Sequence, residues 1–462
     1  MATSPTAATQ APPRPERRER LDRTARITVA LLFTAWLVDY VDRLVINLAL
    51  PSIGREFGLD RTEQGLAVSV FFLAYALCQI PGGLLADRFG AKRTVGWALL
   101  VWSAFTALTG LAGSFTVLLV VRFLFGAAEG IFPAAAMKAI SERTAPGQRM
   151  GANGLVSSSN ALAAVVAPVL GAPLIVAFGW RSTFFSIAAA GVLVYAALRL
   201  WLPDRTQAAP KARPGGSGVR TVLGSGVMWR FAGMFFGYDL IVWGLNTWVP
   251  TYLNDERGLS LTAAGTAALV PAVVSALAAV AGGRLSDRLG GRHGLVVAPA
   301  MVVASLGVLL MTTAHSLTVF VGWLTLAAFG AGLSFMPIFA VPMRSLPAEL
   351  AGSGSGMIIF GGQLAGVVAP VVMGTLADAV SFRAAFAFLV LGAALAAVLS
   401  LTTPQNTGAF LAALHRRRPT DPATDPATDP ATDPATDPAT DPATDPATDP
   451  ATDRTETDKE RA

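Results

Sequence analysis

The 462 residues are 53% hydrophobic and only 14% charged, where soluble globular chains carry roughly a quarter charged residues, so an ordinary water-soluble domain is excluded. The net charge of +5 is small, and its distribution, described below, speaks against a nucleic-acid surface. The single cysteine, Cys78, excludes an intramolecular disulfide and a cysteine metal cluster; no metal and no cofactor is expected.

Residues 1–26 are polar and basic, with Arg14, Arg17, Arg18 and Arg20, and lack a small-residue cleavage site after a short apolar core. They are read as a cytoplasmic tail, not a signal peptide. A membrane-spanning helix needs about 20 mainly apolar residues. Windows of that kind fall at 27–50, 64–85, 94–112, 116–138, 150–177, 182–202, 229–253, 262–284, 294–314, 317–341, 353–376 and 382–403. Outer-membrane barrels show only weak alternating segments of about ten residues, so these long apolar runs leave helices as the spanning structure. The expected fold class is an all-α polytopic membrane protein of twelve transmembrane helices in two six-helix pseudo-symmetric bundles.

Basic residues crowd alternate helix ends: Arg88, Lys92 and Arg93, then Arg143 and Arg149, then Arg205, Lys211, Arg213 and Arg220, then Arg288 and Arg292, then Arg416, Arg417 and Arg418. The other ends carry only Arg55, Arg61, Arg181, Arg257 and Arg383. Because positive residues stay on the cytoplasmic side, the expectation is a multi-pass protein of the inner (plasma) membrane with both termini cytoplasmic. The charge then reports topology in a lipid bilayer, with no nucleic-acid partner.

The loop 203–228 is rich in Pro, Gly, Ser and basic residues and separates an N-terminal bundle, 27–202, from a C-terminal one, 229–403. The halves repeat. Gly82-Gly83-Leu84-Leu85-Ala86-Asp87-Arg88-Phe89-Gly90 returns as Gly282-Gly283-Arg284-Leu285-Ser286-Asp287-Arg288-Leu289-Gly290, and Val166-Ala167-Pro168-Val169 as Val368-Ala369-Pro370-Val371. Parallel repeats of this kind place a solute site between them near the bilayer midplane. Residues 404–462 are expected to be a disordered cytoplasmic tail, since 421–452 are eight copies of Asp-Pro-Ala-Thr with no large apolar side chain.

An ionisable residue at mid-membrane costs roughly 2.5–3.5 kcal/mol on insertion scales and is a functional candidate by default. The first window holds Asp39, Tyr40, Asp42, Arg43 and Asn47, of which Asp39, Tyr40, Arg43 and Asn47 share one helical face with Asp42 at its border. That face is too polar for lipid. The fourth window sets Arg122 and Glu129 on one face, and the seventh sets Asp239, Trp243 and Asn246 at spacings of four and three. Arg43 is either an internal partner of Asp42 or Asp39, or a guanidinium that draws an organic anion into a cavity. Glu129 is either a partner of Arg122 or another basic residue, or a desolvated carboxyl that carries a proton. His293, His315 and His415 fall in loops or tails, leaving proton transfer to carboxylates.

The loop Gly83-Leu84-Leu85-Ala86-Asp87-Arg88-Phe89-Gly90-Ala91-Lys92-Arg93 resembles the signature of the major facilitator superfamily, and with it comes the expectation of the major facilitator fold and of alternating access. Gly83, Asp87, Arg88, Gly90, Lys92 and Arg93, with Gly283, Asp287, Arg288 and Gly290 in the repeat, would form its gating motif. Asp87 is expected to pair with a basic residue or helix end across the cytoplasmic seam. Within the superfamily, Tyr40-Val41-Asp42-Arg43, Gln79-Ile80-Pro81-Gly82-Gly83, the run Arg122 to Pro133 and Trp248-Val249-Pro250-Thr251-Tyr252-Leu253 resemble the anion:cation symporter branch. That resemblance implies arginines at 43 and 122 that hold a substrate carboxylate, a protonatable pair in Asp42 and Glu129, and substrates such as hexuronates, galactonate, glucarate or phthalate.

Phe360 stands where sugar-acid members offer an asparagine, so the second half of the cavity is expected to be drier and to favour a more apolar carboxylate. The full substrate set expected is Tyr40, Arg43, Asn47, Arg122, Asn160, Trp243, Asn246, Phe360 and Gln363, with Asp39 and Asp239 as additional acids for a second proton, a cation or a cationic solute. The leading reading is a monomeric, proton-coupled importer of a small organic anion, not an enzyme. A proton-coupled drug or metabolite exporter and a non-transporting sensor are the alternatives. The fifth window keeps Pro168 but lacks several glycines of the exporter motif, and no phosphate loop, zinc motif or nucleophile elbow is present.

Overall fold

A computed structural model describes residues 21–205 and 216–414; the Asp-Pro-Ala-Thr tract and most of both expected tails lie outside them. All regular structure among the described residues is helical. In chain order the first four helices are α1 (Arg23–Phe57), α2 (Arg61–Phe89), α3 (Ala91–Gly110) and α4 (Phe115–Ser141). After a 3₁₀ turn, Pro146–Gln148, come α5 (Arg149–Ser157), α6 (Ser159–Val166), a π-turn at Ala167–Gly171 and α7 (Ala172–Trp201). The second half contains α8 (Gly216–Gly224), α9 (Gly226–Asp255), α10 (Leu261–Ala267), α11 (Leu269–Arg288), α12 (Gly294–Met311), α13 (Leu317–Ser345), α14 (Ala348–Ala379), α15 (Phe382–Thr402) and α16 (Thr407–Leu414).

Helix ends follow from local chemistry. The Asp22 side chain accepts from the Ala25 N–H at 2.6 Å to start α1, and Gly58, at φ 66°, stops it. Ser114, Ser260, Ser316 and Ser381 cap α4, α10, α13 and α15 in the same way. All twelve expected windows fall on helix, to within a few residues at their ends, and eight helical stretches are long and apolar enough to cross a membrane. Exposed Leu77, Ile80, Trp97, Leu193, Leu277 and Leu391 belong to an apolar surface that lipid would cover.

Four segments differ from the sequence reading. The eighth window is divided between α10 and α11 at Ala268. The fifth window is not one continuous helix: it breaks between α5 and α6 at Ser158, and around Pro168, which lacks an N–H, the ladder widens into the π-turn. The kink of α7 at Gly179, φ 80°, falls in the gap expected between the fifth and sixth windows. The interdomain loop holds α8, whose Val222 is buried. The expected disordered tail begins with an ordered helix: Phe410 of α16 is buried and packs edge-on against Phe231, ring centroids 5.8 Å apart.

The internal repeat is visible in the packing. Gly82 of α2 lies on the backbone of Ile131 and Gly130 of α4 on that of Tyr75, so a Cβ at either would overlap the facing helix. In the second half Gly282 of α11 lies on Leu333 and Gly332 of α13 on Ser275, with the same consequence. Small residues let helix backbones approach closely where apolar burial alone gives no preference over lipid. The signature acids are bonded inside their own halves: Asp87 to Lys138 of α4 at 2.6 Å, and Asp287 to Arg344 of α13. In this conformation Asp87 does not reach across the seam.

At the opposite end of α2 the two halves are tied together. Asp60 and Glu63 form a capping box, and Asp378 of α14 accepts from the backbone N–H groups of Arg61 at 3.2 Å and Thr62 at 2.8 Å. A carboxylate from one half therefore completes the N-cap of a helix in the other, where the helix dipole favours negative charge. Arg61 adds an ion pair to Glu256 at 2.8 Å, and Arg55 one to Asp255 at 3.6 Å.

Replacing Gly130 or Gly332 by leucine should cost about 1–3 kcal/mol through overpacking, measured as a lower unfolding temperature in detergent. Asp378→Ala should remove about 0.5–2 kcal/mol of capping and populate a more open form of this end. Spin labels at positions 113 and 380 in a Cys78→Ser background should then show a new, longer distance.

Candidate functional site

The buried charges of α1 and α4 meet in one cluster. Arg43 donates from Nη2 to Glu129 Oε2 at 2.8 Å and to Asp39 Oδ2 at 3.3 Å. Its guanidinium also lies over the rings of Tyr75, Tyr40 and Phe71 at 4.5, 5.0 and 5.3 Å. Asp42 points to the other side and accepts from the Thr106 hydroxyl of α3. The sequence left Glu129 a choice of basic partner; the structure gives it Arg43.

Arg122 is different. Its side chain is 1% exposed and stacks on Phe125 and Phe184 at 5.0 and 5.7 Å. Its Nε has no hydrogen-bond partner, and among the described residues no carboxylate lies within ion-pair distance. Asp42 and Glu129 act on it only at longer range. Burying a cation without a contacting counterion is costly, and a guanidinium so placed is suited to accept an anion.

Arg122 and Arg43 line one narrow cavity with Ile46, Asn47, Val68, Phe71, Phe72, Phe125 and Trp243, of about 10 Å³, room for a single water at most. Trp243 closes it from the second half: its ring lies 4.5 Å from that of Phe72 and 6.3 Å from that of Tyr40. The void is pinched in this conformation, so an organic ligand needs these rings to separate.

The remaining expected residues are placed as follows. Asn47 lines the cavity and its Oδ1 is buried without a partner. Tyr40 and Phe360 are half-buried, and Gln363 is buried with Oε1 unpartnered. Asn160 of α6 also has an unpartnered buried Oδ1 but lies outside the cavity lining. Asn246 is exposed, unlike Asp239 and Trp243 on the same helix. Asp239 is buried, with no hydrogen bond or ion pair among the described residues.

Of the gating residues, Lys92 donates to the Leu202 carbonyl at 2.6 Å, Arg88 lies over Phe89, and Gly90 and Gly290 sit at φ 83° and 68°. Gly83 and Gly283 face Ala134 and Met336, while Arg93 and Arg288 are exposed. His293 precedes α12 without a side-chain cap bond to it; its ring is hydrogen-bonded to Thr403 at 2.8 Å, and burial pushes its imidazole down to about 4, so it is neutral at pH 7. Thr106 and the stacking rings Phe125 and Phe184 were not singled out from sequence; a hydroxyl inside an apolar window was the available signal for the first.

Comparison with known proteins agrees with this geometry. Residues 32–370 match the model of the Major Facilitator Superfamily. The chain is 31% identical over 375 residues to a hexuronate transporter of Bacillus subtilis, covering 76% of this chain and 87% of that one. It is 30% identical to a probable sulfoacetate transporter of Cupriavidus necator, covering 77% and 88%, and 30% identical to a probable galactarate/D-glucarate transporter of Escherichia coli, covering 75% and 85%. Among solved structures, a bacterial homolog of the human lysosomal transporter Spinster superposes with a TM-score of 0.76 at 20% identity, covering 86% of this chain and 99% of that one. The twofold-repeated helical bundle, its central charged cavity and these matches identify the chain as a membrane-embedded transporter belonging to the Major Facilitator Superfamily.

Proposed function

We propose that the chain imports a small organic anion, a sugar acid or another carboxylate, together with protons, by alternating access across the inner membrane. The observation that carries this reading is Arg122, a buried guanidinium without a contacting carboxylate that lines the central cavity. A planar fork of donors suits a carboxylate bidentately. The relatives named above, which carry hexuronate, sulfoacetate or galactarate and glucarate according to their names, support the same substrate class.

The charge count around the site supports proton coupling. Asp39, Asp42 and Glu129 set three carboxylates against the two guanidiniums of Arg43 and Arg122. An arriving anion adds further negative charge in a low-dielectric space, where like charges repel strongly. Protons entering on the carboxylates relieve that repulsion. Glu129, fully buried and held by Arg43, is the group whose protonation would free Arg43 to join Arg122 on the substrate. One proton with one monovalent anion moves no net charge and is driven by about 1.4 kcal/mol per pH unit. Each further proton adds about 2.3 kcal/mol per 100 mV.

The test is uptake into proteoliposomes under an imposed inward proton gradient, with labelled hexuronate, glucarate, sulfoacetate and aromatic carboxylates. At least one should accumulate only with the gradient. Arg122→Ala should weaken its binding about thirtyfold to several thousandfold, corresponding to the roughly 2–5 kcal/mol of a broken buried charge pair. Glu129→Gln should retain exchange of substrate across the membrane and lose accumulation. Efflux of amphipathic cations with no anion uptake would overturn the reading in favour of an exporter. Separately, Arg43→Ala leaves Glu129 and Asp39 facing each other without their cation and should destabilise the protein by about 3–5 kcal/mol, read as a fall in unfolding temperature.

A further inference from the structure

The second half of the molecule contains a buried acid that anion transport does not use. Asp239 of α9 is 8% exposed, with no hydrogen bond or ion pair among the described residues. Its carboxylate packs against Gly362 of α14, where any Cβ would strike both Asp239 Oδ2 and the Phe235 ring. The backbone there is bare and the acid fills the space a side chain would take.

An aromatic cluster built on Phe235 lies beside this position. Tyr238 stacks on Phe235, centroids 5.3 Å apart, and Phe335 and Phe339 lie 6.1 and 5.1 Å from Phe235. Tyr40, reaching over from the first half, is within electrostatic range of Asp239 and tilts against Trp243 at 6.3 Å. A carboxylate beside aromatic faces is the arrangement that recognises an alkylated or protonated nitrogen, since the ring faces and the acid both attract a cation. Trp243 links this acid to the anion site: it lies on the face of α9 one turn from Asp239, and it also lines the cavity that contains Arg122.

Asp239 does not line the cavity in this conformation, but Trp243, one turn away on α9, does. We propose that when the rings separate the cavity reaches Asp239 and holds a zwitterion, its carboxylate on Arg122 of the first half and a positively charged nitrogen at Asp239 of the second. The inference rests on the anion reading above and narrows it to amino- or methylammonium-carboxylates. The unpaired guanidinium of one half and the unpaired carboxylate of the other are answered by a single molecule, and that molecule touches both halves, as a solute must if its binding is to be coupled to their rearrangement. The buried, unpartnered Trp243 Nε1 and Gln363 Oε1 add a donor and an acceptor in the second half.

The experiment compares matched carboxylates that differ at one atom: glycine betaine and α-amino acids against the same skeletons with hydroxyl or hydrogen in place of nitrogen. Each is tested for uptake, and as a competitor, in proteoliposomes of the full chain. The native protein should prefer the nitrogen-bearing member by tenfold or more over its hydroxyl analogue. Asp239→Asn should bring that ratio close to one, and Asp239→Glu should keep most of it. Uptake of plain carboxylates with no preference for the charged nitrogen overturns this inference and leaves the anion reading standing. A ratio unchanged in Asp239→Asn also overturns it, whatever the overall rate. If neither kind of carboxylate moves or competes, this inference is overturned, and the anion reading is decided by the uptake panel above. The native ratio is read without any variant, so a misfolded Asp239→Asn does not shield the proposal.

Discussion

Everything at the centre of this molecule depends on the cost of keeping charge away from water. Arg43 answers two carboxylates at once, Glu129 at 2.8 Å and Asp39 at 3.3 Å, and three aromatic faces support its guanidinium. That arrangement consumes the cation of α1. Arg122, seven residues before Glu129 on α4, is left with ring faces and distant acids. Satisfaction at one arginine and want at the other make a structural ion pair and the proposed binding site neighbours, and a proton on Glu129 is the simplest event that would exchange their roles.

The surrounding architecture keeps this cluster dry and able to change. Glycines on α2, α4, α11 and α13 bring helix backbones into contact within each half. Between the halves, the Asp378 end carries caps and ion pairs at helix ends, and also Gly65 of α2 on the backbone of Pro370 and Gly374 of α14 on that of Arg61. The caps and ion pairs exchange readily with water, whereas the glycine contacts interlock backbones. Opening this end therefore means separating α2 from α14.

Much of the fold was legible in the sequence, because a spanning helix declares itself by length and hydropathy and because the Gly-Gly-x-Leu-x-Asp-Arg-x-Gly repeat fixes two equivalent halves. The cluster was legible as a set: Asp39, Asp42, Arg43, Arg122 and Glu129 stand out against apolar neighbours. Its pairing was not. Arg43 and Glu129 are 86 positions apart, and which of two arginines meets which of three acids depends on helix rotation that no spacing encodes. The break at Pro168 and the helix Thr407–Leu414 escaped for another reason. Both are decided by what neighbouring segments offer, room for a widened turn in one case and a place for Phe410 against Phe231 in the other. The Asp378 cap was hidden too, since Asp60-Arg61-Thr62-Glu63 reads as a complete local capping box.

The most direct test of anion–proton coupling at this cluster is the pH of a lightly buffered proteoliposome suspension at the moment an organic anion is added, with no gradient imposed beforehand. The account predicts alkalinisation of the medium by at least one proton for each anion that enters, absent in Glu129→Gln. Anion entry with the external pH unchanged, or with acidification, would contradict it.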